Sequence, residues 1–159
     1  DNYYEDLKSS AKDLHQSKRW GTDLTYFYEA GDHRLLSGLS SNYDTFQSTA
    51  TGDHQRRETG IYLQDLWDLS ANLSLQAGLR WDKINDLSAL SPRIGVTGFL
   101  SNQFSLGISY GLAFRAPTIN DLYYEPYANP ELKPEKGQRL ELTGEQRILH
   151  YQPISFSLI

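Results

Sequence analysis

The sequence predicts an all-β chain, an antiparallel meander of about eight strands, and three observations carry that prediction. Apolar residues recur at every second position over long stretches, while helical spacing is nearly absent. The connections between these stretches alternate between short and long. The aromatic share is 13%, with 11 Tyr, in a chain that is only 38% apolar, so the rings need a specific place to sit.

The elements follow in order. Residues 18–30 put Trp20, Leu24, Tyr26 and Tyr28 on one face, and residues 33–44 do the same with Leu35, Leu39 and Tyr43. Residues 57–67 present Ile61 and Leu63. In residues 73–82, Leu73, Leu75, Ala77, Leu79 and Trp81 oppose Ser74, Gln76, Gly78, Arg80 and Asp82. Residues 92–100 carry Ile94 and Val96. The clearest strand is 104–115, where Phe104, Leu106, Ile108, Tyr110, Leu112 and Phe114 share one face and Ser, Gly, Ala and Arg115 the other. Residues 138–147 (Leu140, Leu142) and 152–159 (Ile154, Phe156, Leu158) complete the set.

Short turns are expected at 30–33, 68–72, 100–103 and near 149–151, with longer connections elsewhere, the longest at 116–137. Strands of ~9–11 residues with short turns on one side and long loops on the other are what a transmembrane β-barrel requires. Trp20, Tyr43, Trp81, Tyr110 and Phe114 then fall near the outer rim, and Tyr28, Trp67 and Phe104 near the inner one. Two aromatic girdles at headgroup level would absorb the ring excess. The competing reading is a soluble sandwich in which the same rings form a core between two sheets.

Composition narrows the function classes. No run of about 18 apolar residues exists, so no transmembrane helix is expected, and the opening residues Asp1 to Asp6 lack a signal-peptide pattern. A net charge of −5 without a Lys/Arg stripe speaks against nucleic acid. With no Cys and four dispersed His, no metal site or cofactor is expected. Gly107, Ile108, Ser109, Tyr110 and Gly111 match G-x-S-x-G, but a nucleophile elbow needs a sharp turn at the serine and here the match lies within a strand, so no enzyme is expected. An Asn72-Leu73-Ser74 sequon at a turn carries no expected role. Arg80, Asp82, Arg93, Arg139, Glu141 and Glu145 share the polar parity, which suits a wet lumen where opposite charges pair across strands or with a plug. Eight open strands would leave two unpaired edges, so the chain, residues 1–159, is expected to be a partial barrel domain.

One segment is more specific. It reads YGLAFRAPTINDLYYEPYANPELKPEKGQRLELTGE, with Phe114, Arg115, Ala116 and Pro117 followed by Asn129, Pro130, Leu132, Pro134 and Glu135. Pro117 removes a donor, so the ladder should end there. Arg115 can offer its donors to plug carbonyls or carboxylates. Asn120, Asp121, Asn129, Pro130 and Pro134 read as turn chemistry that orders the long loop. Tyr123, Tyr124 and Tyr127 with Glu125 form a candidate ligand-stacking surface; the plainer alternative is that the motifs only lock the loop onto the rim.

FRAPT and NPELKPE in this order, with the earlier run TGIYLQDLWDLSANLSLQAGLRWD and SPRIG, resemble the TonB-dependent outer-membrane receptors, over residues 57–147. The resemblance implies a transmembrane barrel of about 22 strands around an N-terminal plug. This chain would supply a middle-to-late part of it, with the plug and the remaining strands absent. It implies the outer membrane of a Gram-negative cell, lipid around the wall, the TonB complex as a partner through the plug region, and uptake of a scarce large ligand, a ferric siderophore or a corrinoid. Haem receptors of the family carry a His between the two motifs; residues 118–128 contain none, and the compact spacing most resembles the vitamin B12 branch. The alternative is a non-transport barrel or adhesin-like module. An isolated segment would be expected to self-associate through its apolar face.

Overall fold

The computed structural model describes residues 2–5, 12–146 and 154–158. Nine strands form one sheet in sequence order: β1 (Asn2–Glu5), β2 (Lys12–Ala30), β3 (His33–Ser48), β4 (Gly52–Ser70), β5 (Leu73–Ile84), β6 (Leu87–Ser101), β7 (Phe104–Arg115), β8 (Glu135–Gln146) and β9 (Ile154–Leu158). Every neighbouring pair is antiparallel. A five-residue helix, α1 (Ile119–Tyr123), lies between β7 and β8. The eight expected strands are present and β1 is additional; the expected turn near 149–151 falls outside the described residues.

Several strands, β2 to β4 above all, are longer than expected, and two expected long connections are corrected. β2 and β4 run 19 residues each and β3 runs 16. The β3–β4 and β5–β6 connections shrink to residues 49–51 and 85–86, and the longest one to 116–134. Near these ends both faces are polar, as with Lys18, Thr45, Gln47, Asp53 and Gln55, so alternation fades although the hydrogen-bond ladder continues. Gly31 (φ 57°) and Asn85 (φ 50°) open the two tight turns at 31–32 and 85–86, where the left-handed region favours Gly and Asn.

Register shows how the wall is tilted. His33, Trp67, Leu75, Val96, Ile108 and Leu142 lie in one hydrogen-bonded row. His33 directly follows its turn at 31–32, Leu75 is the third residue after the turn at 71–72, and Ile108 the fifth after that at 102–103. The stagger is about one residue per strand, and ~3.4 Å against a strand spacing of ~4.8 Å is a tilt of about 35°. Measured from the same turns, Trp20, Tyr43 and Phe114 each stand eleven residues up and Trp81 nine, whereas Tyr28 stands three, Trp67 four and Phe104 one; Tyr110, expected near the outer rim, stands seven, midway between the two groups. Eight residues between Trp20 and Tyr28 at this tilt span ~22 Å along the barrel axis, close to the ~25 Å apolar band of an outer-membrane barrel.

The sandwich reading fails on burial. Among the described residues no hydrophobic side chain is buried, and Leu24, Ile61 and Leu140 on the apolar face remain 62%, 50% and 60% exposed. No second layer covers them, since all nine strands belong to one sheet. Stability of such a wall comes from its ladder and cross-strand pairs, with the solvent on its apolar face supplied by something other than protein core.

Candidate functional site

The candidate site is the end of the polar face where the 116–134 loop folds back on the sheet. The β7 ladder stops at Arg115, one residue before Ala116-Pro117, as a residue without an N–H donor demands. Thr118 then caps α1: its Oγ1 accepts from Asp121 N at 3.1 Å, and Asp121 Oδ2 accepts from Thr118 N at 2.8 Å. This capping box corrects the expectation that Asn120 and Asp121 form a turn. The two bonds to Thr118, led by its backbone N–H, hold the exposed Asp121 carboxyl below the usual carboxylate range.

The NPEL motif closes the loop. Asn129 N donates to Asp121 O at 2.9 Å, and Asn129 Oδ1 accepts from Glu131 N at 3.1 Å. Leu132 N returns to Asn129 O at 3.1 Å. Arg115, Ala116, Pro117, Leu132 and Glu135 gather around one small crevice, so the two motifs meet at the base of the loop. Pro134 immediately precedes β8, and Pro130 sits inside the turn.

Two contacts fasten the loop to β4, three strands away. The Arg56 guanidinium donates to the carbonyl of Pro117. The ring of His54 stacks on that of Tyr123, with centroids 3.7 Å apart and planes 12° apart. His54 Nε2 donates to Thr51 O at 2.6 Å, which steadies the ring from the β3–β4 turn. Tyr123 is therefore part of the dock through one ring face while still 37% exposed, and Tyr124 (40%), Tyr127 (83%) and Glu125 lie exposed beside it.

Several charges on the polar face are matched locally. Arg80 grips Asp82 two residues along the same strand, with Nε 2.9 Å from both carboxylate oxygens, and Arg139 pairs Glu141 in the same way at 3.1 Å. Arg115 faces Glu135 across β7 and β8 at 3.6 Å. Arg93 and Glu141 line a polar recess with Ser74, Gln76 and Thr143. Arg115, expected to offer its donors to a plug, has its partner across strands; Arg80 and Arg139, from the set expected to pair across strands or with a plug, pair within their own strands, because alternate residues on a strand point the same way.

Sequence reasoning missed an outer cluster. Arg19 forms a two-point pair with Asp44, Nε to Oδ1 at 2.5 Å and Nη2 to Oδ2 at 2.6 Å. Glu58 lies 3.6 Å from Arg19 and 3.9 Å from Arg56, and Asp44 is buried at 3% exposure. All four residues keep the polar parity, and that parity was the available signal; it ran past the point where the apolar alternation stopped.

Comparison with known proteins agrees with this geometry. Residues 1–158 match the family described as TonB dependent receptor-like, beta-barrel. Over 122 residues the chain is 27% identical to the vitamin B12 transporter BtuB of Photobacterium profundum, covering 74% of this chain and 20% of that protein. The siderophore receptor PirA from Pseudomonas aeruginosa aligns over 86% of this chain and 29% of its own, with 23% identity and a TM-score of 0.73. A double mutant of the Serratia marcescens hemophore receptor HasR, in complex with its hemophore HasA and heme, aligns over 85% and 30%, with 18% identity and a TM-score of 0.72. At these identities the two structures speak for the fold alone. The chain spans about a fifth of the length of the curated relative it matches. With the family match running from the first strand to the last, and FRAPT and NPELKPE forming the base of one docked loop, the chain belongs to the TonB-dependent receptors, as a segment of their β-barrel.

Proposed function

We propose that this segment forms part of the wall and outer vestibule of a Gram-negative outer-membrane receptor that captures a scarce large ligand, a ferric siderophore or a corrinoid, for TonB-dependent import. The receptor would consist of a barrel of about 22 strands with a plug inside it, of which residues 1–159 supply one sector. The observation that carries the reading is the docked loop: it holds a tyrosine-rich tip over the polar face, at the end of the strands opposite the turns at 31–32, 71–72 and 102–103. Tyr124 and Tyr127 offer rings for stacking, and Tyr123 joins them once its partner His54 is displaced. Glu125 beside them supplies an acceptor. Haem is the least suited of the family's ligands. Residues 118–128 lack a His, and His54, which reaches the loop from β4, has its Nε2 engaged by Thr51.

Nothing in this reading needs bond chemistry at the segment. Binding and handover are the work of the vestibule, and the energy enters through the plug and the TonB complex. The test is a titration of the complete receptor with cyanocobalamin and a panel of ferric siderophores, repeated on the triple variant Tyr123→Ala, Tyr124→Ala, Tyr127→Ala. Each stacking ring is worth ~1 kcal/mol, about fivefold in Kd. A complete receptor that binds none of these ligands overturns the function. Unchanged affinity in the triple variant removes the tyrosines from the site and leaves the loop a purely structural element.

A further inference from the structure

Behind the docked loop, between the outer ends of β2 to β4 and α1, lies an open cleft of about 600 Å³. Its volume falls in the range of small-molecule sites, and a large ligand could place one portion there. Its walls include His15 and Ser17 from β2, Phe46 from β3, and Ile119 and Asn120 from α1. Among the described residues, none in the lining is a carboxylate.

Among the described residues, Arg56 is the one permanently charged residue in the lining, and it is already occupied. Its guanidinium donates to the Pro117 carbonyl and lies 3.9 Å from Glu58. The neighbouring arginine, Arg19, is held at two points by Asp44 and is also 3.6 Å from Glu58. An anionic ligand group entering the cleft would therefore meet guanidiniums whose charge is already matched. An uncharged group meets hydroxyl, amide and imidazole partners beside the rings and side chains of Phe46 and Ile119.

Resting on the receptor function proposed above, we infer that this cleft is a subsite for an uncharged portion of the ligand, one that combines amide or hydroxyl groups with apolar surface. The cleft selects against a strongly anionic ferric complex by offering it no free counter-charge, because stripping water from an unmatched charge is costly. Such chemistry occurs in a neutral corrinoid and in a neutral ferric hydroxamate, and the two sources are separated by titrating each.

The experiment uses the complete receptor and single charge insertions at Ser17, which faces the cleft without belonging to the loop dock. Folding of each variant is checked by the heat-dependent shift of the barrel on a denaturing gel. Cyanocobalamin and a neutral ferric hydroxamate are the uncharged probes, and a trianionic ferric catecholate is the charged one. The unmodified receptor is expected to bind an uncharged probe with a Kd that changes little between low and high salt. Ser17→Lys and Ser17→Glu are each expected to weaken that binding by about fivefold or more, since either sign places an unmatched charge against a neutral group. Ser17→Lys tightening and Ser17→Glu weakening the binding would show an anionic occupant and overturn the inference. Unchanged affinity in both variants would overturn it by removing the cleft from the binding surface. A receptor that binds only the trianionic catecholate overturns the inference and leaves the receptor function standing, whereas a receptor that binds no probe at all overturns the function on which it rests.

Discussion

Replacing His33 with leucine should destabilise the barrel although it makes the apolar face more apolar. The reason lies in Asp65, a carboxylate on that face in a row with Leu35 and Ala77. His33 Nδ1 donates to Asp65 Oδ2 at 2.7 Å, and the imidazole stacks on Trp67 with centroids 5.0 Å apart. The other oxygen, Asp65 Oδ1, is buried without a hydrogen-bond partner in the structure. Asp65 stands six residues up from the 71–72 turn, two further than Trp67, which at a tilt of about 35° places it ~6 Å deeper than the girdle ring. A lysine or arginine on a lipid face costs ~2–4 kcal/mol at mid-depth and a carboxylate less, so the pair with His33 is what makes the position tolerable. Removing His33 leaves the carboxylate alone, at an expected cost of about 2 kcal/mol. Asp65→Leu removes the charge itself and should gain about 1 kcal/mol, and the double variant should be at least as stable as the parent. Urea titration of the complete barrel folded into lipid vesicles measures all four corners of this cycle. A stable His33→Leu variant, or a destabilised Asp65→Leu variant, would refute the argument that Asp65 lies below the girdle with His33 as its partner.

Three further outcomes are expected. A Cβ at Gly38 would overlap the ring of Tyr62, so Gly38→Ala must push aside a side chain that also reaches Thr25 Oγ1 at 3.1 Å; a loss of ~1–2 kcal/mol is expected by the same urea titration, and Tyr62→Ala in that background should recover most of it. Arg56→Ala should free the 116–134 loop, seen as faster proteolytic cutting near Lys133 with an unchanged midpoint for the barrel. The Asp121 carboxyl is held below its usual range by Thr118, so its contribution to the α1 cap is present above the unfolded carboxylate's range and is lost as pH falls through the lowered folded value. Loop protection should therefore weaken only in acid, and Asp121→Asn should flatten that dependence; a loop that loosens instead near neutrality would refute this account of the cap.

The strand pattern was legible wherever one face meets an apolar medium. Leu73 to Trp81 and Phe104 to Phe114 alternate cleanly, and there the expected strand starts or ends coincide with those of β5 and β7. Beyond the girdles both faces of a strand meet water, so Thr45, Gln47, Asp53 and Gln55 carry no alternation and residues 45–56 read as a connection although most of them are strand. The same blind region held half of the site. FRAPT and NPELKPE marked the two ends of the loop, but its dock on His54 and Arg56 crosses three strands, and no local pattern encodes a contact of that kind. Asp65 is the opposite case: a visible charge at an apolar position, explained only when register brought His33 beside Trp67.

The stagger of about one residue per strand also bears on what can occupy the interior. A cylinder of about 22 strands at a tilt near 35° has a radius of ~20 Å, too wide for side chains from opposite walls to meet. In the barrel proposed above, the polar face would then be a lining and not half of a core. Arg80 with Asp82, and Arg139 with Glu141, neutralise one another within a single strand and ask nothing of an occupant. In the receptor proposed above, a lining whose ion pairs close within single strands would be a low-friction surface, along which a plug could rearrange or a cargo pass without breaking those pairs.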